Sequence, residues 1–242
     1  MSPSHPLLRM SAILPLCAAA QVWAADLVML APVDQAMPIV RFQDGRLSGG
    51  IVKDIGDAIA QRMGRRAVYL NVDVPGLAPM LTSGRADAIC YVMPFWIDGD
   101  YQWSSPLVPD AEMVIARPAA PVVRSLKDLR DKRVGTVGGY RYPRVEQVLG
   151  KRFLRADADT LEKSLQQLQG GKVDYTIVGE NMLAYQLRIH PGQRYRIDLV
   201  FSTYKAQCAL SHKSSIDPRE FNRAIDALLQ DGSIDQILAR YR

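Results

Sequence analysis

Short β-rich runs alternate with amphipathic helical stretches along the whole chain, and this alternation limits the possible fold more than any other sequence feature. The candidate strands are residues 27–31, 67–72, 86–92, 112–116, 133–137, 173–178, 197–201 and 206–210. Strands that alternate with helices predict an α/β protein with largely parallel sheets. Because 48% of the 242 residues are apolar and 23% are charged, the composition also excludes disorder and coiled coil.

Capping residues indicate where several helices begin. Thr160 precedes an apolar stripe at Leu161 and Leu165, and Asp217-Pro218 supplies an N-cap residue followed by proline at the first helical position. Ser233 follows Gly232 and is predicted to cap the last helix.

Residues 1–24 have the pattern of a secretory signal peptide. Arg9 provides the positive charge, residues 10–20 form the apolar core, and Val22 and Ala24 occupy positions −3 and −1 of a cleavage site. An apolar core of this length is too short to span a bilayer. We therefore expect a soluble mature chain from Ala25 that is exported to the periplasm and does not insert into the membrane.

Two cysteines, Cys90 and Cys208, remain in the predicted mature chain. In an oxidising compartment they can form one disulfide. They can equally stay as two buried thiols that pack as small apolar groups. The sequence leaves both alternatives open.

The motifs of common catalytic and cofactor sites are absent. His190 and His212 of the mature chain lack metal-ligand spacing, and the chain contains no P-loop, dinucleotide-binding or nucleophile-elbow motif. We therefore expect no metal, no cofactor and no enzymatic activity. Gly135, Gly138 and Gly139 form a turn between a strand and a helix, which is a candidate anion site.

The positive charge is concentrated in residues 117–155, which contain 11 basic and 3 acidic side chains. Such a block suits an anionic ligand, an acidic partner surface or nucleic acid, or it is an ordinary solvated face. Export makes nucleic acid an unsuitable partner.

Six motifs in order resemble the family-3 periplasmic solute-binding proteins, the amino-acid-binding relatives of ABC transporters. They are G-I-V-K-D-I at 50–55, L-x-x-x-L-x-S-G-x-x-D-A at 77–88, W-S-S-P at 103–106, L-K-D-L-R through V-G at 126–135, L-Q-G-G-K-V-D at 168–174, and the final helix at 231–241. The resemblance implies a type II periplasmic-binding-protein-like fold. Two mixed sheets flanked by helices would form two lobes with the ligand cleft between them.

This resemblance also implies boundaries and partners. Lobe I would comprise residues 25–108 and 205–242, and lobe II residues 109–204. The chain would be a monomer that captures a small polar molecule and delivers it to an inner-membrane ABC permease.

The arginine with which the family binds the ligand carboxylate has no counterpart, because residues 86–116 contain neither Arg nor Lys. Aromatic and acidic residues, including Phe95 and Trp96, occupy the corresponding stretch. Glu180 occupies the position at which the family often has a carboxylate that pairs with the ligand's ammonium group. A ligand other than a standard α-amino acid is therefore expected.

From these departures we predict a ligand site made of Phe95, Trp96, Gly139, Tyr140, Arg141 and Glu180. Arg141 would replace the missing cation, and the aromatic rings would offer stacking surfaces. The alternative is that the aromatics are core residues, that Arg141 is a surface residue, and that Glu180 pairs within lobe II.

Two other functions compete with transport. An accessory or sensor protein of the same fold would work with a periplasmic enzyme system and no permease. Cyclohexadienyl dehydratases share the fold and use a carboxylic acid, a role that Glu180 could fill; the missing arginine weighs against this enzyme.

Overall fold

A computed structural model describes residues 25–242, and the predicted signal peptide lies outside this part of the chain. The strands are β1 Leu27–Pro32, β2 Arg41–Gln43, β3 Arg46–Gly49, β4 Ala67–Val72, β5 Ala88–Val92, β6 Gln102–Trp103, β7 Val108–Ala116, β8 Arg133–Val137, β9 Leu154–Ala158, β10 Tyr175–Gly179 and β11 Arg196–Leu210. The helices are α1 Ile51–Arg62, α2 Val74–Ser83, α3 Pro143–Leu149, α4 Leu161–Gln169, α5 Glu180–Ile189, α6 Pro218–Gln230 and α7 Ser233–Ala239.

The strand order is β4-β1-β5-β11-β7-β10-β8-β9, with β6 also paired to β11. On one side of β11, β1 is parallel to both β4 and β5, and β5 is antiparallel to β11. On the other side, β7 is antiparallel to β10, and β8 is parallel to β10 and β9. Each half is therefore a mixed sheet, and the predicted two-lobed α/β fold is confirmed.

Strand β11 belongs to both halves of the molecule. Residues 196–206 pair with β7, whereas residues 207–210 pair with β5. The sequence predicted two strands here, which is wrong, because residues 202–205 pair with β7 although they lack the apolar pattern of a strand. The predicted lobe boundaries at 108/109 and 204/205 fall on β7 and β11 and stay a prediction.

The largest buried cluster joins the strands to α1, α4 and α6. Ile55 and Ile59 of α1 and Phe221 and Ile225 of α6 are at most 1% exposed. This packing fixes α1 and α6 against the half of the sheet that contains β1, β4 and β5. Among residues 25–242, no helix combines the length and apolar character needed to cross a membrane.

Two of the three predicted helix caps are confirmed. Thr160 accepts a hydrogen bond from the Lys163 backbone N–H at 3.2 Å, and Asp217 accepts one from the Arg219 N–H at 2.8 Å. The Ser233 cap is wrong, because Gly232 is the N-cap residue and Ser233 begins α7.

Candidate functional site

A cavity of about 140 Å³ lies between the two halves of the sheet. Its walls combine Val74 and Leu77 of α2 and Val92 of β5 with Val137 of β8 and Val178 of β10. These residues come from both sides of β11, so the cavity occupies the cleft expected of a two-lobed protein. An apolar cavity of about 150 Å³ accommodates benzene, which sets the scale of a group that fits here.

Strand β7 brings two carboxylates to one wall of the cavity. Asp110 and Glu112 are two residues apart, and side chains with that spacing point to the same face of a strand. Both line the cavity. Asp110 lies opposite Tyr204 of β11, and Glu112 lies opposite Gly179 of β10.

Hydrogen bonds fully satisfy the Asp110 carboxylate. Oδ2 accepts from the hydroxyls of Tyr91 at 2.5 Å and Tyr204 at 3.2 Å. Oδ1 accepts from the backbone N–H groups of Ala111 at 2.8 Å and Asn181 at 3.1 Å. Asp110 therefore links β5, β11 and the start of α5 at the base of the cleft.

Glu112 is the contrasting carboxylate, because no side chain or backbone group among residues 25–242 donates a hydrogen bond to it. Burial raises its pKa to about 7, and the nearby charge of Asp110 adds to the rise. Arg144 acts in the opposite direction. The cavity thus contains a carboxylate that titrates near neutral pH.

Aromatic side chains form much of the remaining wall. Trp96, Tyr140 and Tyr142 line the cavity together with Tyr91 and Tyr204. The Trp96 and Tyr204 rings meet edge to face, with centroids 5.2 Å apart. Burial raises the pKa of Tyr91 and Tyr204 well above the usual value, and Asp110 adds to the rise. Both hydroxyls therefore remain neutral donors.

The glycine turn after β8 adopts its position through Arg155. The guanidinium of Arg155 donates to the carbonyls of Val137 and Tyr140, each at 2.9 Å. Gly139 has φ +80°, and a Cβ built there would lie 3.8 Å from Val74 Cβ in the other half. The turn therefore closes against α2.

The start of α3 gives no support to the predicted anion site. The helix has only seven residues, and the backbone N–H of Tyr142 donates to Glu146 Oε1 at 3.1 Å. A carboxylate of the helix itself thus occupies this position.

Arg141 lines the cavity but is paired with an acid of the opposite half. Its Nη1 donates to Asp98 Oδ1 at 2.8 Å, and its Nη2 donates to Asp98 Oδ2 at 2.5 Å. Hydrogen bonds from Arg141 lower the pKa of Asp98. The predicted contact between Arg141 and a ligand carboxylate stays a prediction.

Four of the six predicted ligand-site residues line the cavity: Trp96, Gly139, Tyr140 and Arg141. Phe95 lies outside it, 52% exposed, with its ring edge to face against Trp96. Glu180 is also outside, exposed at the first residue of α5.

The prediction missed Asp110 and Glu112. Glu112 begins the predicted strand 112–116, and Asp110 lies two residues before it; this spacing was the available signal.

Cys90 and Cys208 lie directly opposite each other on β5 and β11 and form a disulfide. Of the two alternatives left by the sequence, the structure has the bonded one. The disulfide fixes the end of β11 that pairs with β5.

Several basic residues of the segment 117–155 form ion pairs with acidic neighbours. Arg117 pairs with Asp174, and Arg152 pairs with Asp131. These pairs fit the solvated-face interpretation of the segment. Within the described part of the chain, no cluster of three or more His, Cys, Asp or Glu side chains is arranged to hold a metal.

Solved structures with the same fold cover most of the chain at low sequence identity. An ancestral arginine-binding protein bound to arginine has a TM-score of 0.75 and 21% identity, covering 90% of this chain and 99% of its own. The arginine-, lysine-, histidine-binding protein ArtJ from Geobacillus stearothermophilus has a TM-score of 0.72 and 17% identity, covering 89% and 94%. The GluR0 ligand-binding core from Nostoc punctiforme, in complex with L-glutamate, has a TM-score of 0.73 and 16% identity, covering 89% and 98%.

A search of curated proteins found no match. The sequence profile of the bacterial extracellular solute-binding proteins, family 3, matches residues 31–242. The match spans nearly all of the described chain and agrees with the fold and with the cleft between its halves. The chain belongs to the family 3 bacterial extracellular solute-binding proteins.

Proposed function

We propose that the protein captures a small polar molecule in the interlobe cavity and delivers it to an ABC permease of the inner membrane. The observation that carries this proposal is the cavity itself, whose walls come from both halves of the sheet. Arg141 and Asp98 join the two halves beside it. A ligand between two lobes stabilises the closed arrangement, which is the basis of hinge closure.

The similar proteins support a polar ligand of low molecular weight, since their names specify arginine, lysine, histidine and glutamate. The cavity of this chain favours a ligand other than a standard α-amino acid. Among the described residues that line it, Arg141 is the only basic one, and Asp98 already pairs with its guanidinium.

The cellular setting follows from the leader predicted at residues 1–24. We propose cleavage after Ala24, a monomeric mature protein in the periplasm, and hinge motion between lobe I (25–108 and 205–242) and lobe II (109–204). Binding and release would require no cofactor and no catalytic residue.

Recovery of a bound compound tests this proposal. The chain 25–242 is refolded from denaturant to remove bound molecules, dialysed against a polar bacterial metabolite extract, and analysed by mass spectrometry. The variant Val74→Trp fills the cleft from α2, and Val122→Trp is the matched control because Val122 is 56% exposed and outside the cavity. We expect the wild type and Val122→Trp to retain a compound that Val74→Trp loses. Retention by none of them, or by all three, contradicts the proposal.

Uptake of the retained compound tests delivery to a permease. Deletion of the coding gene should abolish uptake of the labelled compound by the source bacterium. Unchanged uptake would contradict transport and support the accessory or sensor function. Conversion of the compound by the purified protein would support the dehydratase-like alternative.

A further inference from the structure

We propose that the cavity selects a small organic cation without a carboxylate group, and that Glu112 is the residue that binds its positive charge. This inference rests on the proposed function, because it specifies the ligand of the same cleft. It also assigns a role to a residue that lies outside the predicted site.

The charges around the cavity favour a cation. Among the described lining residues, the charged ones are Asp110, Glu112 and Arg141. Asp98 neutralises the charge of Arg141 through two hydrogen bonds. A ligand carboxylate would therefore meet two acids without a free basic partner, and like charges in a partly desolvated site repel strongly.

Of the two acids, Glu112 is the one available to a ligand. Four donors satisfy the Asp110 carboxylate. None of the residues 25–242 donates to Glu112. Burial of a charge without a partner is unfavourable, and a cation bound beside the charge relieves that penalty.

The aromatic wall suits the same ligand class. Trp96, Tyr140 and Tyr142 line the cavity, and the faces of such rings attract organic cations. Their surfaces can also pack against the apolar part of a ligand, which an inorganic cation would not use.

A third carboxylate adds negative potential near this wall. Oδ1 of Asp34 is buried without a hydrogen-bond partner in the described part of the chain. Its charge contributes to the raised pKa of Tyr140, after the larger effect of burial. Asp34 thus lies close enough to the aromatic wall to favour a cation there.

The volume of the cavity limits the size of the cation. About 140 Å³ suits a group the size of a benzene ring. Choline and benzylamine are probes of this size, and each carries one cationic nitrogen and no carboxylate. Arginine is larger and carries a negatively charged carboxylate as well as cationic groups.

The groups that face Glu112 define the expected pH dependence. They are Asp110 on β7, Arg144 on α3, Tyr142 before α3 and Tyr204 on β11. Burial raises the pKa of both tyrosines, so they stay neutral between pH 6 and pH 8. Glu112, with a pKa near 7, changes its charge in this range.

Calorimetric titration tests the cation assignment. Choline and benzylamine are titrated into the refolded chain. The uncharged match of choline is its neutral carbon isostere, and the uncharged match of benzylamine is benzyl alcohol. Arginine, lysine and phenylalanine are the zwitterionic comparisons. We expect each cation to bind at least about tenfold more tightly than its uncharged match at pH 8, and about tenfold more weakly at pH 6 than at pH 8, because protonation of Glu112 removes its charge.

Three variants separate the charge of Glu112 from its shape. Glu112→Gln should remove the preference for cations and the pH dependence, whereas Glu112→Asp should retain the preference. Glu162→Gln is the matched control, because Glu162 is exposed on α4 and outside the cavity. Circular dichroism checks that each variant folds.

Three results would overturn the assignment: tighter binding of a zwitterion than of either amine, failure of both cations to bind, or unchanged choline binding by Glu112→Gln. If the extract experiment still recovers a compound, the binding-protein proposal stands and only the ligand class is wrong. If nothing is recovered, both proposals are wrong.

Discussion

Arg141 and Asp98 form a two-point ion pair between loops of opposite halves of the protein, with N–O distances of 2.8 and 2.5 Å. Arg141 follows the glycine turn after β8, and Asp98 follows β5. The residues are 43 positions apart in sequence. Because each half contributes one partner, the pair favours the closed arrangement of the cleft.

Asp98→Asn should accelerate ligand release. The substitution removes one charge of an exposed ion pair, and such pairs contribute modestly to binding. We therefore expect the dissociation rate constant, and with it Kd, to rise about two- to fivefold. High salt should reduce the difference from the wild type. Stopped-flow dissociation of the recovered compound measures the effect. Tighter binding of carboxylate compounds by Asp98→Asn would contradict this role and favour Arg141 as a ligand-binding residue.

Glu112→Gln should stabilise the ligand-free protein at high pH. The folded-state pKa of about 7 lies above the value of about 4.3 for unfolded glutamate, so Glu112 destabilises the fold as pH rises between these values. The variant should gain about 3–4 kcal/mol in free energy of unfolding at pH 8 and less than about 0.5 kcal/mol at pH 4. Urea unfolding at both pH values measures the gain. A gain equal at both values, or none at pH 8, would contradict the raised pKa.

Glu180→Gln should leave the Kd of the recovered compound unchanged. Glu180 is exposed at the start of α5 and does not line the cavity. Its charge near the helix N-terminus should contribute only a few tenths of a kcal/mol to stability. Titration of Glu180→Gln beside Glu112→Gln compares the two carboxylates directly. A larger loss of affinity in Glu180→Gln would restore the role predicted from the sequence.

Replacement of both Cys90 and Cys208 by Ala should destabilise the protein. The disulfide closes a loop with a sequence separation of 118 residues, for which loss of loop entropy predicts about 4–5 kcal/mol. Guanidinium unfolding of the oxidised wild type and the double variant measures the difference. Two titratable thiols in the wild type, or equal stability of the two proteins, would contradict the bonded state.

Strand and helix periodicities along the chain were sufficient to predict an α/β protein, and the six motifs that resemble family 3 implied its two-lobed arrangement. The sequence did not predict that β11 is a single strand of 15 residues. Residues 202–205 are held by pairing with β7, and such pairing between distant segments leaves no local apolar pattern. The edge strand β9 was missed for a related reason, since charged residues interrupt Leu154–Ala158.

The candidate site was predicted in part. Trp96 and the turn at Gly139, Tyr140 and Arg141 were selected because they occupy the positions where the family binds the ligand carboxylate. Glu180 was selected by its spacing from Asp174, but spacing gives a position in the chain and not the direction of a side chain.

Glu112 could have been found from its strand. It alternates with Asp110 at the start of β7, and two acids on one face of a strand near the crossover between lobes indicate a polar wall. The pairing of Arg141 with Asp98 had no such signal, because the two residues meet only after the lobes form.

Proton release upon choline binding tests the central claim most directly. Choline has no titratable group of its own near neutral pH, so calorimetry at pH 7 in buffers of different ionisation enthalpy reports protons that leave the protein. With a Glu112 pKa of about 7, half of the molecules hold a proton there before binding. We predict release of about half a proton per bound choline in the wild type and none in Glu112→Gln. Binding without proton release in the wild type would contradict the claim that the cation binds Glu112.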